Sequence, residues 1–180
     1  CRSLTQARHA RYIQVMIPPP RPHTIAFKMS APLKIAVHGA AGRMGRRVVA
    51  LATADASIEV AAAIENDQHP LLGQDAGDLA SVETLDVPVS SKWPSDVDVV
   101  IDFSLPEAID RCIEKCETHE TALVVATTGM TDAQVERLRE ASESIPIVWA
   151  PSMSLAVNLA MKLSQQITEK LIDVPGGLDI

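Results

Sequence analysis

The sequence predicts an α/β fold, a doubly wound parallel sheet of the Rossmann dinucleotide-binding type. Three observations lead to this prediction. Apolar segments alternate with amphipathic ones from Lys34 onward, three glycines spaced three residues apart follow the first apolar segment, and two later segments are apolar almost throughout. Continuous apolar strands are typical of parallel sheets that helices cover on both faces.

The first strand and helix follow from hydrophobic periodicity. "KIAVH" (34–38) is a short apolar segment that ends at a glycine, as a strand before a turn does. The segment 43–54 has the spacing of a helix, with Met44, Val48 and Leu51 on one face.

The middle of the chain predicts weaker elements. "IEVAAAI" (58–64) indicates the second strand, and the polar, glycine-containing segment 66–86 indicates a loop with at most a short helix. Residues 87–90 predict a third strand, which Pro88 weakens.

"VDVVIDF" (97–103) predicts a fourth strand, buried on both faces. Ser104 and Glu107 form an S-x-x-E pattern, which is typical of a capping box and predicts a helix at 105–118.

The last part of the chain repeats the same order of elements. "ALVVAT" (122–127) predicts the fifth strand, and Thr131 with Gln134 predicts a second capping box. The remaining elements are a helix at 132–143, a strand at 145–150 and a long helix at 154–172.

Composition excludes several classes of protein. The 180 residues are 47% hydrophobic and 22% charged, which favours a globular core, and no segment approaches the ~20 apolar residues of a membrane helix. Cys1, Cys112 and Cys116 form no disulfide framework, and the last two are expected to be buried thiols. We therefore expect a reducing, cytoplasmic setting and no metal.

Charge is distributed unevenly along the chain. Residues 1–28 contain five basic residues and no acid, so residues 29–180 hold 11 basic residues against 23 acids, a net charge of −12. An acidic body repels nucleic acid, and neither nucleic acid nor a membrane is expected as a partner.

The segment 1–33 is expected to lie outside the fold. It contains the sequence PPPRP, which suits neither a helix nor a central strand. We expect a disordered or non-native extension, with translation beginning at Met29, or alternatively a targeting peptide. Residues 34–180 are expected to form the dinucleotide-binding domain.

The three glycines define the first candidate site. Gly39, Gly42 and Gly45 form GxxGxxG rather than GxGxxG, a pattern that is weak on its own because glycine turns between strands and helices are common. The turn does open a helix, whose N–H groups and dipole would face a bound pyrophosphate. Arg43 lies in the turn, where it either contacts the cofactor or is simply solvated.

Further candidate residues follow the other strands. Glu65 stands 20 residues after Gly45, where a carboxylate accepts hydrogen bonds from ribose hydroxyls. The segments "FSLPE" (103–107), "ATTGMT" (126–131) and "APSMS" (150–154) follow the last three strands. Because strand ends of one polarity share one edge, these loops are expected to meet the glycine turn.

Five segments together resemble the N-terminal part of the dihydrodipicolinate reductase family. They are "KIAVHGAAGRMGRRV", "LLGQDAGDLA", "VVIDFSLPEA", "VVATTGMT" and "IPIVWAPSMSLAVNLAMKL". The resemblance implies NAD(P)H-dependent reduction of 4-hydroxy-tetrahydrodipicolinate to tetrahydrodipicolinate, in lysine and diaminopimelate biosynthesis. This chain would supply the cofactor-binding half.

The resemblance also implies roles for single residues. The pyrophosphate would be held by Gly39, Ala40, Ala41, Gly42, Arg43 and Met44, and the adenosine ribose by Glu65. The nicotinamide would be lined by Ala126, Thr127 and Thr128, and its carboxamide by Ala150, Pro151, Ser152 and Met153.

Two departures from the family pattern affect function. Asn66 replaces the arginine that often follows the ribose acid, so we expect a slight preference for NADH over NADPH. The family's catalytic histidine and lysine belong to an HH-x-x-K segment of a second domain, which these residues up to Ile180 do not contain. We therefore expect the chain to bind dinucleotide without turnover, and a homotetramer only for the full-length protein.

Two other functions remain open. The chain could belong to another nicotinamide dehydrogenase, such as an aspartate-dehydrogenase-like protein, with different C-terminal catalytic residues. It could also be a stand-alone NAD(P)-binding sensor, if it ends naturally at Ile180.

Overall fold

The structure is a computed structural model, and it describes residues 14–16, 31–150 and 152–171. Its strands in this part of the chain are β1 (Gln14–Met16), β2 (Leu33–His38), β3 (Ile58–Ile64), β4 (Val89–Ser90), β5 (Val99–Asp102), β6 (Ala122–Val125) and β7 (Ile147–Trp149). Its helices are α1 (Arg43–Thr53), α2 (Ala76–Leu79), α3 (Ile109–Thr118), α4 (Asp132–Ala141) and α5 (Leu155–Leu171).

The strands form one sheet in the order β1-β7-β6-β5-β2-β3-β4. All pairings from β7 to β4 are parallel. β2 lies between β3 and β5, so the direction of winding reverses there, which confirms the doubly wound parallel sheet. In the register, His38 is paired with Ile64 on one side and Asp102 on the other, so three strands end side by side.

β1 was not expected from the sequence. Gln14–Met16 belong to the extension that was set apart from the fold, yet they form the edge strand beside β7, and Met16 packs against a core cluster. Three residues are too few to carry a periodic signal, and the strand is defined by its neighbour. Residues 1–13 and 17–30, with the expected start at Met29, lie outside the described residues.

Helices cover both faces of the sheet. Ile35 and Val37 of β2 point into one cluster, which α1 and α2 complete, whereas Ala36 between them points into the other. The second cluster is completed by α3 and α4, and it contains Cys112 and Cys116, which are buried free thiols as expected. Both faces are apolar because both are covered.

The buried face of α1 differs from the expected one. Met44 and Leu51 are 53% and 55% exposed, and the buried residues are Gly45, Val49 and Ala52. These three lie one position further along the helix. Gly45 lies directly against the preceding turn, where an added Cβ would be 2.1 Å from the carbonyl oxygen of Gly39, so the face that contains Gly45 is the one that points inward.

One of the two predicted capping boxes is wrong and the other is confirmed. Ser104 does not cap α3, because its amide and hydroxyl both donate to Oδ1 of Asp102, and the chain enters the helix through a 3₁₀ turn that has no side-chain cap. Thr131 and Gln134 form the reciprocal hydrogen bonds of a capping box at α4.

Contacts divide the chain into two compact units. The larger is Val15–Trp149, and the described part of the other comprises Gln14, Ala150 and residues 152–171. The second unit contains α5, whose described side chains are all half-buried or exposed. In the part of the chain that the structure describes, no helix is long and apolar enough to cross a membrane. The single domain at 34–180 stays a prediction.

Candidate functional site

A cavity of about 430 Å³ opens at the carboxyl edge of the sheet. It lies over the ends of β2, β3 and β5, where doubly wound sheets bind their ligands, and its volume is within the range of ligand pockets. Its lining consists of His38, Gly39, Gly42, Glu65, Asn66, His69, Phe103, Ser104, Leu105, Glu107 and Ala108.

The glycine turn is folded in a way that only glycine allows. Gly39 has a φ of +79°, and a Cβ there would lie 2.6 Å from the carbonyl oxygen of Phe103. A Cβ on Gly45 would lie 2.1 Å from the carbonyl oxygen of Gly39, so α1 begins directly against the turn. The turn, the first helix and the end of β5 therefore meet with no side chain between them.

The N-terminus of α1 is open to an anion. Gly42 is its N-cap residue, no side chain caps the helix, and no acid lies in its first turn. The first N–H groups of a helix have no partner within the helix, and its dipole favours negative charge there. Arg43 and Met44 are exposed at this end.

Glu65 is tied to the glycine turn. Its carboxylate Oε1 accepts a hydrogen bond from the amide of Ala41 at 2.9 Å, and the carbonyl of Ala41 in turn accepts one from Nε of Arg46 at 2.8 Å. Glu65 is half-buried and directly follows β3. One carboxylate oxygen thus orients the side chain, and the other is available to a ligand hydroxyl.

Asp102 forms a buried hydrogen-bond network that the sequence did not predict. Its Oδ1 accepts from Nδ1 of His38 at 2.7 Å and from the hydroxyl of Ser104 at 2.6 Å, and its Oδ2 accepts from the hydroxyl of Thr127 at 2.6 Å. Asp102 is fully buried, His38 is nearly so, and the imidazole packs against the ring of Trp93 at 5.1 Å between centroids.

These hydrogen bonds keep Asp102 ionised. Burial is the largest single influence and would raise its pKa, but the hydrogen bond and electrostatic interaction with His38, with the hydroxyls of Ser104 and Thr127, together lower the pKa below its ordinary value. The charged carboxylate therefore joins the ends of β2, β5 and β6.

His38, Asp102 and the nearby thiol of Cys112 do not suit a metal ion. Ligand atoms of His38, Asp102 and Cys112 lie within 4.8 Å of one another. However, a hydrogen bond with Cys116, together with burial, raises the pKa of the Cys112 thiol well above its ordinary value, so the thiolate that a metal needs is disfavoured. The oxygens of Asp102 already accept hydrogen bonds from protein donors.

Some of the expected site residues of the larger unit line the cavity, and others do not. Gly39, Gly42 and Glu65 line the cavity, whereas Ala40 and Ala41 are buried within the turn. Beyond β6, Ala126 is half-buried, the hydroxyl of Thr127 is committed to Asp102, and Thr128 is exposed. Of these two threonines, Thr128 thus has the hydroxyl that faces solvent.

The remaining expected residues belong to the second unit. Ala150 is buried, Ser152 is half-buried and Met153 is 37% exposed, whereas Pro151 lies outside the described residues. The carbonyl of Ser152 accepts a hydrogen bond from the amide side chain of Asn158 at 2.7 Å, which fixes the chain before α5.

The sequence did not reveal the roles of Asp102, which holds the cavity-lining residues His38 and Ser104, or of His69, which lines the cavity itself. Asp102 carried a usable signal, because an acid at the end of an apolar strand must find partners once it is buried. His69 carried none, since it lies in a segment that was expected to be an irregular loop.

A family profile and two sequence relatives indicate the same family. A family profile described as "Dihydrodipicolinate reductase, N-terminus" matches residues 33–153. The 4-hydroxy-tetrahydrodipicolinate reductase of Rhodopirellula baltica is 54% identical over 156 residues, which are 84% of this chain and 56% of that protein. Its counterpart from Syntrophotalea carbinolica is 39% identical over 151 residues, which are 82% of this chain and 55% of that protein.

The chain thus spans little more than half the length of these relatives. Among solved structures, the dipicolinate-bound dihydrodipicolinate reductase from Paenisporosarcina sp. TG-14 matches with a TM-score of 0.63 and 21% identity. The match covers 79% of this chain and 56% of that one, and it shows a shared fold.

Proposed function

The chain belongs to the dihydrodipicolinate reductase family, and we propose that it is the dinucleotide-binding part of an NAD(P)H-dependent enzyme that reduces 4-hydroxy-tetrahydrodipicolinate. One observation carries this proposal: the open N-terminus of α1 and the carboxylate of Glu65 meet through a single backbone hydrogen bond at the edge of one cavity. A dinucleotide needs a place for its pyrophosphate next to a place for its adenosine ribose.

The glycine turn fits a pyrophosphate. A Cβ at Gly39 or Gly45 would collide with backbone atoms, and this tight turn leaves the backbone N–H groups of α1 uncovered. These groups, the helix dipole and the exposed cation of Arg43 supply positive potential to a phosphate. Ala40, Ala41 and Met44 would complete this part of the site.

Glu65 fits a ribose. Because Oε1 is held by the amide of Ala41, the second oxygen has a fixed position from which to accept a hydrogen bond from a ribose hydroxyl. A preoriented carboxylate loses little conformational entropy when the ligand binds.

The loop after β6 fits the nicotinamide end. The hydrogen bond of Thr127 to Asp102 fixes the backbone at Ala126 and Thr128, at the end of β6, which β5 separates from the strand that carries the glycine turn. When bound, the reduced nicotinamide supplies the hydride, and the chain's task is to orient its ring. We keep Ala150, Pro151, Ser152 and Met153 as proposed contacts of the carboxamide.

Substrate binding and proton transfer are assigned to residues outside this chain. The family's HH-x-x-K segment does not occur in its 180 residues. We therefore propose that the full chain binds nicotinamide dinucleotide but shows no steady-state reduction, and that the homotetramer belongs to the longer protein.

We propose that NADH binds slightly better than NADPH. The 2′-phosphate of NADPH would add negative charge beside Glu65, and the residue that follows Glu65 is the neutral Asn66. Like charges in a partly buried cavity disfavour each other, whereas a ribose hydroxyl has no such cost.

A titration of the full chain with NADH, followed by nicotinamide fluorescence, tests the proposal. Glu65→Gln should raise the Kd for NADH by about tenfold, as expected when a charge-assisted hydrogen bond becomes a neutral one. Glu59→Gln is the matched control, because Glu59 is exposed at the other end of the same strand and should leave the Kd unchanged. A wild-type chain that binds neither NADH nor NADPH would disprove the proposal.

A further inference from the structure

The side-chain oxygen of Asn66 is committed to its own turn. Its Oδ1 accepts a hydrogen bond from the amide of Gln68 at 3.0 Å, and its main-chain carbonyl accepts one from the amide of His69 at 3.2 Å. This is an Asx-type turn, in which a short polar side chain replaces a backbone partner. The side-chain oxygen of Asn66 therefore stabilises the turn that leads to His69.

The turn returns His69 to the cavity that Glu65 and Asn66 line. His69 is half-buried, and its Nδ1 accepts a hydrogen bond from the amide of Leu71 at 3.3 Å. An imidazole whose Nδ1 accepts a hydrogen bond carries its proton on Nε2. The ring is thus anchored at one nitrogen and is a donor at the other.

His69 brings an imidazole N–H donor to a cavity whose lining includes two carboxylates. Of the described residues that line it, the titratable ones are the carboxylates Glu65 and Glu107 and the imidazoles His38 and His69. His38 is held by Asp102, and no lysine or arginine is among these lining residues. Among these lining residues, His69 therefore supplies an imidazole N–H that can donate to a negatively charged substituent next to Glu65.

We propose that His69, rather than residue 66, meets the 2′ position of the adenosine ribose and so determines how strongly the chain discriminates between NADH and NADPH. This inference rests on the proposed function, namely that the chain binds a nicotinamide dinucleotide. Nε2 of His69 donates to the 2′-phosphate of NADPH and offsets part of its repulsion by Glu65. It makes a weaker hydrogen bond to the 2′-hydroxyl of NADH, so the preference for NADH stays small.

Two pairs of ligands that differ only at the 2′ position test this inference on the full chain. These are NADPH with NADH, and adenosine 2′,5′-bisphosphate with adenosine 5′-monophosphate. His69→Ala should raise the Kd of each 2′-phosphorylated ligand by about tenfold and that of its partner by less than about threefold, since hydrogen bonds to charged groups are the stronger ones. His69→Arg should reverse the preference towards NADPH.

Further variants separate this role from a structural one. His69→Gln retains an N–H donor and should restore part of the affinity for the 2′-phosphorylated ligands. His119→Ala is the matched control, because His119 is an exposed histidine that follows α3. Its ratio of affinities should equal that of the wild type, and the thermal midpoint of each variant reports whether it is folded.

The outcomes distinguish the two proposals. If Glu65→Gln weakens binding but the ratio of NADPH to NADH affinity is unchanged in both His69→Ala and His69→Arg, the inference about His69 is wrong and the proposed function stands. If the folded wild-type chain binds none of the four ligands, the proposed function fails, and the role of His69 fails with it.

Discussion

Asp102 connects three strand ends through one carboxylate. Its donors come from the end of β2, from the loop after its own strand and from the loop after β6. Each donor is directed towards a buried oxygen, so removing the charge would leave several polar groups poorly paired. The network is therefore expected to contribute to stability and to hold His38 and Ser104 in place where they line the cavity.

We expect Asp102→Asn to lower the free energy of unfolding by about 2–4 kcal/mol, because an amide presents N–H groups to donors and leaves them unsatisfied. Urea denaturation at pH 7 measures this.

The pKa of Asp102 is lowered in the folded state. The contribution of Asp102 to stability is therefore complete above the ordinary pKa of 3.8, and it is lost as the pH falls through the lower pKa of the folded state. The free energy of unfolding of Asp102→Asn should therefore fall less than that of the wild type as the pH is lowered. Equal stability of the two proteins at pH 7 would contradict this role of Asp102.

Gly45 is the residue at which fold and binding are most closely linked. A methyl group there must displace the carbonyl of Gly39, since its Cβ would lie 2.1 Å away. We expect Gly45→Ala to cost about 1–3 kcal/mol of stability, as overpacking does, and to weaken NADH binding because α1 moves away from the turn. Gly73→Ala is a useful comparison, because no atom beyond its own chain neighbours lies within 4 Å of its Cβ position and its φ of +84° is what opposes the change. It should leave the affinity for NADH unchanged.

At the scale of elements, the segment between β3 and β4 is ordered by one carboxylate. Asp75 caps α2 by accepting from the amide of Gly77 at 2.8 Å, and it also accepts from those of Leu85 and Val87 at 3.0 and 2.9 Å. These hydrogen bonds, led by that of Leu85, lower the pKa of Asp75. The segment was expected to be a loop with at most a short helix, and the structure has a loop that contains the four-residue helix α2. The hydrogen bonds of Asp75 hold this loop together.

The capping box of α4 gives a prediction for a single element. Thr131→Ala should lower the free energy of unfolding by about 1 kcal/mol, because the amide of Gln134 loses its acceptor. Thermal or urea denaturation measures this. The affinity for NADH should be unchanged, since Thr131 lies outside the residues that line the cavity. A large loss of affinity without a loss of stability would show that this loop has another role.

The elements were predictable where a local pattern determines them. The strand before the glycine turn and the capping box at Thr131 can both be identified from neighbouring residues, and both are found in the structure. The capping box at Ser104 was predicted wrongly because the hydroxyl of Ser104 donates to Asp102 instead. The other two side chains that donate to Asp102, His38 and Thr127, are distant from it in sequence. His69 could not be placed because its position depends on a turn that only the folded backbone reveals.

At the scale of the whole molecule, the order of the strands determines where the candidate site forms. β3 and β5 lie on opposite sides of β2, so their connecting segments diverge and leave a crevice above the glycine turn. The sequence predicted this arrangement from the alternation of its elements. The residues that bind and protonate the substrate could not be predicted in the same way, because the chain spans only about half the length of its relatives.

Hydrogen–deuterium exchange of the full chain with and without NADH reports where the dinucleotide binds, and so tests whether the glycine turn and Glu65 form its site. We expect NADH to slow the exchange of amides in the glycine turn at 39–46, in the turn at 65–69 and in the loop at 103–108. Exchange at 118–121, at the opposite edge of the sheet, should not change. Protection at 118–121 without protection of the glycine turn, or no protection at saturating NADH, would contradict the account.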